Sequence, residues 1–130
     1  MAANPREGMS LEQQRAAFAW QRLHGQDGVS SDYANLAKAA PALVMGNGLM
    51  QTLAFYQAKG KEHHKRLLED ILLWLRQRRL CASSQFEQAM NELAAMSSER
   101  YLQATQEALA ILKWIRQFAA ALEKRQRGGQ

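Results

Sequence analysis

The side chains that could do chemistry are few, and their spacing pairs them poorly. His63 and His64 are adjacent in a segment with helical periodicity. Neighbours on a helix point about 100° apart, so the two imidazoles cannot readily grip one ion. No H-x-x-x-H or C-x-x-C spacing supports them, and the expectation is a pair of exposed histidines at a helix start. Cys81 is the single cysteine, which excludes an intramolecular disulfide. It falls in an interhelical turn with no identifiable His and acidic partner for nucleophilic work. Gly46-Asn47-Gly48 lacks the G-x-x-x-x-G-K-S/T spacing of a phosphate-cradling loop. Glu69 and Asp70 are adjacent, and pairing with Lys65 and Arg66 on neighbouring turns explains them better than general acid–base work. These residues predict a protein that is not an enzyme and that needs no metal or cofactor.

Basic and aromatic residues form a more suggestive pattern. Arg15, Phe18 and Arg22 share one helix face, while Ala16, Ala19, Trp20 and Leu23 occupy another. A helix with aromatics on two sides is either sandwiched in a core or offers one side to a partner. Packing of the arginine stems over Phe18 at a bundle edge is the alternative. Trp74 and Trp114 sit in apolar stripes and are expected in the core, not as base-stacking platforms. The net charge is +5 and the pI near 9.7, a balance compatible with a polyanionic partner. The charge is also segregated. Residues 1–58 are balanced, whereas Lys59, Lys61, Lys65, Arg66, Arg76, Arg78 and Arg79 outweigh Glu62, Glu69 and Asp70. Residues 80–112 are acidic, with Arg100 against Glu87, Glu92, Glu99 and Glu107, and the remainder to residue 130 is again basic. Arg76, Arg78 and Arg79 close a predicted helix, where cations suit the negative pole of the helix dipole.

These side chains need helices to position them. The chain has 130 residues, 47% of them apolar, a length that suggests one domain burying about two-thirds of its unfolded surface. Only two Val and three Ile occur among abundant Ala, Leu, Gln and Glu, so the expected class is all-α, a compact bundle of about six helices. The same composition excludes a disulfide miniprotein, a disordered tail and a collagen-like chain. The opening MAANPREGMSLEQQR has no apolar run for a signal peptide. The apolar stretch Ile71–Leu75 is too short to cross a bilayer. A soluble, cytoplasmic protein is expected.

The first helix starts at the Ser10-Leu-Glu-Gln13 capping box and runs to about Leu23. A second opens at Ser31 or Asp32 and is kinked or ended by Pro41. A short Ala-Leu-Val-Met piece follows, and Gly46-Asn47-Gly48 breaks the chain. The third runs from about Leu49 to Lys59, closed by Gly60, and the fourth from Glu62 to Arg79. A second capping box at Ser84 opens a fifth helix to about Ala95. Ser97 or Ser98 caps a long sixth helix to about Glu123, roughly 40 Å in length. Its expected core line is Tyr101, Ala104, Ala108, Ile111, Ile115, Phe118 and Leu122. Its opposite line, Gln103, Gln106, Ala110, Lys113, Gln117, Ala120 and Lys124, holds no acid. The expected organisation is a flexible N-terminus over 1–9, one helical domain over 10–124 and a flexible basic tail over 125–130.

Three blocks carry a resemblance. They are Ser10-Leu-Glu-Gln-Gln-Arg-Ala-Ala-Phe-Ala-Trp20, then Tyr33 through Pro41-Ala-Leu-Val with Asn47-Gly-Leu-Met-Gln-Thr-Leu-Ala-Phe55, and finally Tyr101 to Leu109 with Trp114-Ile-Arg-Gln-Phe-Ala-Ala120. The chain resembles, over roughly residues 10–122, the small α-helical subunit of the type III-B CRISPR RAMP module, the Cmr complex. The resemblance implies a noncatalytic, RNA-associated subunit in antiviral defence. It would stack in several copies as an inner filament beside the backbone subunits that hold the guide RNA, and help to form the groove for the guide–target duplex. Target cleavage would belong to the backbone subunit and cyclic-oligonucleotide synthesis to the large one. The implied partners are the other subunits, further copies of this chain, guide RNA and target RNA, with no membrane and no small-molecule substrate.

In such a role cations form a sequence-independent track along phosphates and base pairing reads sequence. The matching blocks contain Arg15, Lys38 and Arg116, while Lys113 precedes the Trp114 block and Lys59 follows the Phe55 block. With Arg22 and Lys61 on the same faces, these seven are the expected RNA contacts. A solvated charge or an interface salt bridge is the alternative for each. A reading from another class is a helical adaptor that binds only protein, through the first helix and the Gln/Ala-rich outer face of the sixth.

Overall fold

The computed structural model describes residues 8–25 and 28–124. Its helices are α1 (Leu11–His24), α2 (Ser31–Asn47), α3 (Leu49–Lys59), α4 (Glu62–Gln77), α5 (Phe86–Ala95) and α6 (Ser98–Leu122). The all-α class and the long last helix are as expected. The tails expected to be flexible, except for residues 8 and 9, lie outside the described residues.

Local chemistry starts and stops most of these helices. At α1 the Gln13 amide donates to Ser10 Oγ at 3.1 Å and the Ser10 amide donates to Gln13 Oε1 at 2.8 Å, a complete capping box. Ser97 Oγ accepts the Arg100 amide at the start of α6. Gly60, with φ 66°, ends α3 in the left-handed region that glycine enters without a Cβ penalty. Gly28 serves a close approach: a Cβ there would lie 2.7 Å from Lys124 Cγ. Beside it the Val29 amide donates to the Leu122 carbonyl and the Lys124 amide to the Val29 carbonyl, at 3.0 and 2.8 Å. These bonds tie the α1–α2 loop to the end of α6.

Two boundaries differ from expectation. α2 runs through Pro41 to Asn47 and absorbs the piece expected to stand alone. Proline costs the helix one backbone hydrogen bond, but Ala37, Ala40 and Val44 are buried on both sides of it. Burial of both halves in one core lets the helix continue past the proline. The capping box expected at Ser84 does not form. α5 begins at Phe86 without a side-chain cap, and the Gln85 amide instead donates to Ser83 Oγ. The Glu92 carboxylate has turned back to take the Ala82 amide at 2.7 Å, which organises the loop in place of a cap.

α6 packs along α1 and α2 and also meets α4. Ala104, Ala108, Ile111 and Ile115 are buried as the heptad line predicts, and Leu112 and Ala119 join them. Tyr101, Phe118 and Leu122 lie half-buried at the rim. A helix covered on two flanks buries a wider arc than a coiled-coil seam does. α4 supplies the other large share of the core, from Leu67 to Leu75.

Two carboxylates stitch the layers. Glu107 on α6 accepts from Arg15 Nη2 at 2.7 Å, Arg15 Nε at 3.3 Å and Trp74 Nε1 at 3.0 Å, with Arg78 Nε 3.7 Å away. Burial opposes its ionisation, but the hydrogen bonds from Arg15 and Trp74 outweigh that and hold the carboxyl below its ordinary range. Asp70, fully buried on α4, accepts from the Tyr33 hydroxyl at 2.6 Å and from Arg22 Nε, while Glu69 takes Arg22 Nη2 at 2.8 Å. The expected pairing of these two acids with Lys65 and Arg66 is thereby corrected: both reach across to α1. Arg66 instead lies over the Tyr33 ring, 4.7 Å from its centroid, and donates to the Arg22 carbonyl.

Substitution of Glu107 by Gln keeps the acceptor for Trp74 but removes the charge facing Arg15 and Arg78. We expect a loss of about 1–2 kcal/mol in urea unfolding at neutral pH, since the solvent at the rim screens part of the pair. The folded carboxyl titrates below its unfolded value, so the contribution is present above the ordinary glutamate range and disappears as the pH falls through the folded pKa. The variant should therefore lose less stability than the wild type in acid. Tyr33→Phe, which strips the buried Asp70 of its hydroxyl donor, should cost about 1–2 kcal/mol in the same measurement.

Candidate nucleic-acid interface

The seven residues expected to meet RNA fall into distinct settings. Arg15 is largely buried, clamped between Glu107 and Glu12. Arg22 is paired with Glu69 and Asp70. Both join α1 to its neighbours, and their charge is answered inside the protein. Between them Phe18 packs on the buried Trp74 ring at 5.1 Å, so this face of α1 is a bundle edge covered by arginine stems. Trp20 points the other way. It is 41% exposed, stacks on His24 at 4.8 Å and meets the edge of Phe118 at 5.3 Å. Trp74 is in the core as expected, and Trp114 is half-buried against Phe118.

The other five are exposed. Lys38 stands on α2. Lys59, in the last turn of α3, holds its Nζ 5.5 Å from the Phe55 ring centroid, and Lys61 is the N-cap of α4, two residues on. Lys113 and Arg116 stand one turn apart on α6. From Gln103 to Ala120 the exposed residues of α6 include no carboxylate, because Glu107 is turned inward.

The histidine expectation needs correction for one member of the pair. His64 is buried, with its ring 5.8 Å from Tyr56 and its Nδ1 unpartnered. The start of α4 packs onto α3 there, a tertiary contact that the helix-start position alone does not reveal. Burial, with His63, Lys59 and Lys61 close by, pushes its pKa down. Among the described residues no group of three His, Cys, Asp or Glu could hold a metal ion. Cys81 is buried, and its thiol is pushed up to about 11 by burial and by the Glu92 charge, the reverse of an activated nucleophile.

One basic feature went unselected in the sequence. The end of α4 reverses through Arg79, whose φ of 60° is uncommon for a residue with a side chain, and the Leu80 amide reaches back to the Leu75 carbonyl at 2.9 Å. This turn, α5 and the start of α6 enclose an open groove of about 760 Å³ whose lining includes Arg76, Arg79 and Arg100. Helix-end electrostatics accounted for the first two by sequence. Arg100 lies twenty-one residues beyond Arg79, and only the fold brings its Nη2 to the Arg79 carbonyl at 2.6 Å. The run Arg76-Gln-Arg-Arg79 ahead of an acidic segment was the available signal.

A family profile described as CRISPR-associated protein (Cas_Cmr5) matches residues 11–122, from the first residue of α1 to the last of α6. The chain belongs to the Cmr5 family. A relative named CRISPR system Cmr subunit Cmr5, from Thermus thermophilus, is 38% identical over 95 residues, covering 70% of this chain and 75% of the relative. The crystal structure of a CRISPR-associated Cmr5 family protein from the same species superposes with a TM-score of 0.73 at 27% identity. That superposition covers 88% of this chain and 99% of the other. The Cmr5 match thus includes all six helices and every exposed cation considered above.

The buried imidazole of this Cmr5-family chain makes a pH prediction. The folded pKa of His64 lies below its ordinary 6.5, so the neutral form belongs to the fold. Its contribution is present above pH 6.5 and is lost as the pH drops through the folded value. The melting temperature should decline from pH 7 to about pH 5 in the wild type and decline less in His64→Asn. Parallel melting curves in both proteins would exclude this role for His64.

Proposed function

We propose that this chain is a noncatalytic small subunit of the type III-B Cmr effector complex, acting in the cytoplasm in antiviral defence. In this reading it stacks in several copies along an inner filament and contacts guide and target RNA through exposed cations. The observation that carries the reading is the Cmr5-family match over the whole helical domain, residues 11–122. The Thermus relative bears the name of a Cmr subunit, and we extend that membership to this chain.

The surface suits the role physically. Lys113 and Arg116 stand on an exposed stretch of α6 free of acids, with Lys59 and Lys61 at the α3–α4 corner and Lys38 on α2. Such cations attract a phosphate backbone without reading bases. Arg15 and Arg22 have a structural part in this reading, because carboxylates already occupy them. Met45, Phe55 and Leu102 are large apolar side chains left 75%, 45% and 56% exposed, and they fit contacts with neighbouring subunits. Those apolar residues also favour the adaptor reading, in which protein contact is the whole function.

A reconstituted effector complex separates the two. Lys113→Gln with Arg116→Gln should leave the melting temperature of the subunit and its incorporation unchanged. Target-RNA capture should fall about tenfold near physiological salt, with a shallower salt dependence. If capture is unaffected while Leu102→Glu prevents incorporation, the adaptor reading replaces this one.

A further inference from the structure

We infer that the groove at the end of α4 is a second RNA cradle, in which Arg76, Arg79 and Arg100 hold phosphodiester groups. The inference rests on the RNA reading above but uses none of its residues.

The first argument is charge without an internal answer. Arg15, Arg22 and Arg78 each meet a carboxylate. Among the described residues Arg76, Arg79 and Arg100 form no such pair. Glu92, the one acid on the groove wall, already accepts the Ala82 amide. Three permanent cations therefore converge on one concave surface with a single, engaged carboxylate beside them.

The second argument is preorganisation. Arg100 donates one Nη to the Arg79 carbonyl, which fixes the turn and leaves the rest of its guanidinium fork free. Arg79 is held by a backbone reversal closed by the Leu80 and Cys81 amides on the Leu75 carbonyl. A ligand here meets donors whose backbone is already placed, so less ordering opposes binding.

The third argument is continuity. Arg76 also lines a neighbouring groove of about 540 Å³, together with Phe18, Gln21, Arg22 and Gln77. Arg76 is shared by the two grooves and the Gln21 and Gln77 amides continue the polar lining, which matches a polymer with one charge per residue. A guanidinium can grip a phosphate with two bonds and lie flat on a base. The apolar part of the lining is Leu80, Cys81, Ala95 and Met96, of which Leu80 and Cys81 are buried, so the groove offers charge and few apolar anchors. Single-stranded RNA is the occupant these features favour.

The test uses the full chain and a fluorescein-labelled oligouridylate at low ionic strength, read by anisotropy. Arg76→Gln with Arg79→Asn is the diagnostic variant, since asparagine tolerates the left-handed backbone at position 79. Affinity should fall about tenfold, and the slope of log K against log salt should become shallower by about one to two units. A photocrosslinking oligonucleotide on the wild type gives a readout independent of folding, with crosslinks expected within residues 76–100. Loss of binding in Lys113→Gln/Arg116→Gln, with the groove variant at wild-type affinity and crosslinks confined to α6, would overturn the cradle and leave the RNA reading standing. Absence of any binding by the wild type would overturn the cradle, while the RNA reading, which concerns the assembled complex, is decided by the capture assay above. Displacement of the RNA by oligoglutamate at equal charge concentration would assign the groove to an acidic protein segment and overturn the proposal.

Discussion

Glu107 is a carboxylate on the longest helix, turned into the protein and answered from two others. Arg15 of α1 grips it with two nitrogens, Trp74 of α4 donates its indole N–H, and Arg78 approaches from the end of α4. An ionised group so nearly enclosed is tolerable only with its partners in place, so the three helices must arrive in one mutual register. Asp70 makes the same demand two turns further along the same face of α1, where Tyr33 and Arg22 answer it. Hydrophobic burial supplies the bulk of the driving force. These two acids restrict which of the many apolar packings is reached, and they consume the arginines that a charge map alone would offer to an outside partner.

The same constraint shapes the surface. With Glu107 turned inward, the exposed length of α6 between Gln103 and Ala120 keeps its cations and loses its acid. With Glu92 folded back on the Ala82 amide, three arginines and this single carboxylate line the groove beside it. Internal pairing thus sorts charge. Acids near the core neutralise Arg15 and Arg22, whereas among the described residues Lys38, Lys59, Lys61, Lys113 and Arg116 are exposed and form no ion pair.

Much of the fold was legible because its signals are local. Ser10 and Gln13 cap α1, Gly60 ends α3, and Ala104, Ala108, Ile111 and Ile115 of α6 face inward, all from spacing and side-chain type. The class and the long last helix followed from composition and periodicity. Pro41 misled, because its cost is local while the burial of Ala37, Ala40 and Val44 that overrides it is not. Ser84 misled because the Glu92 carboxylate that orders the loop reaches back from within α5, ten residues beyond the amide it binds.

The candidate site divides along the same line. The sequence by itself determined the residue inventory, the family resemblance, the absence of metal-ligand spacing and the exposure of Lys38, Lys59, Lys61, Lys113 and Arg116, all properties carried by neighbours within a few turns. Tertiary structure alone decided that Arg15 and Arg22 answer buried acids, that His64 lies beneath α3, and that Arg100 joins Arg76 and Arg79 around one groove. Each of those depends on a charge or ring brought from a distant segment. Electrostatic partnership falls off over a few ångströms in space, and separation along the chain does not measure that distance.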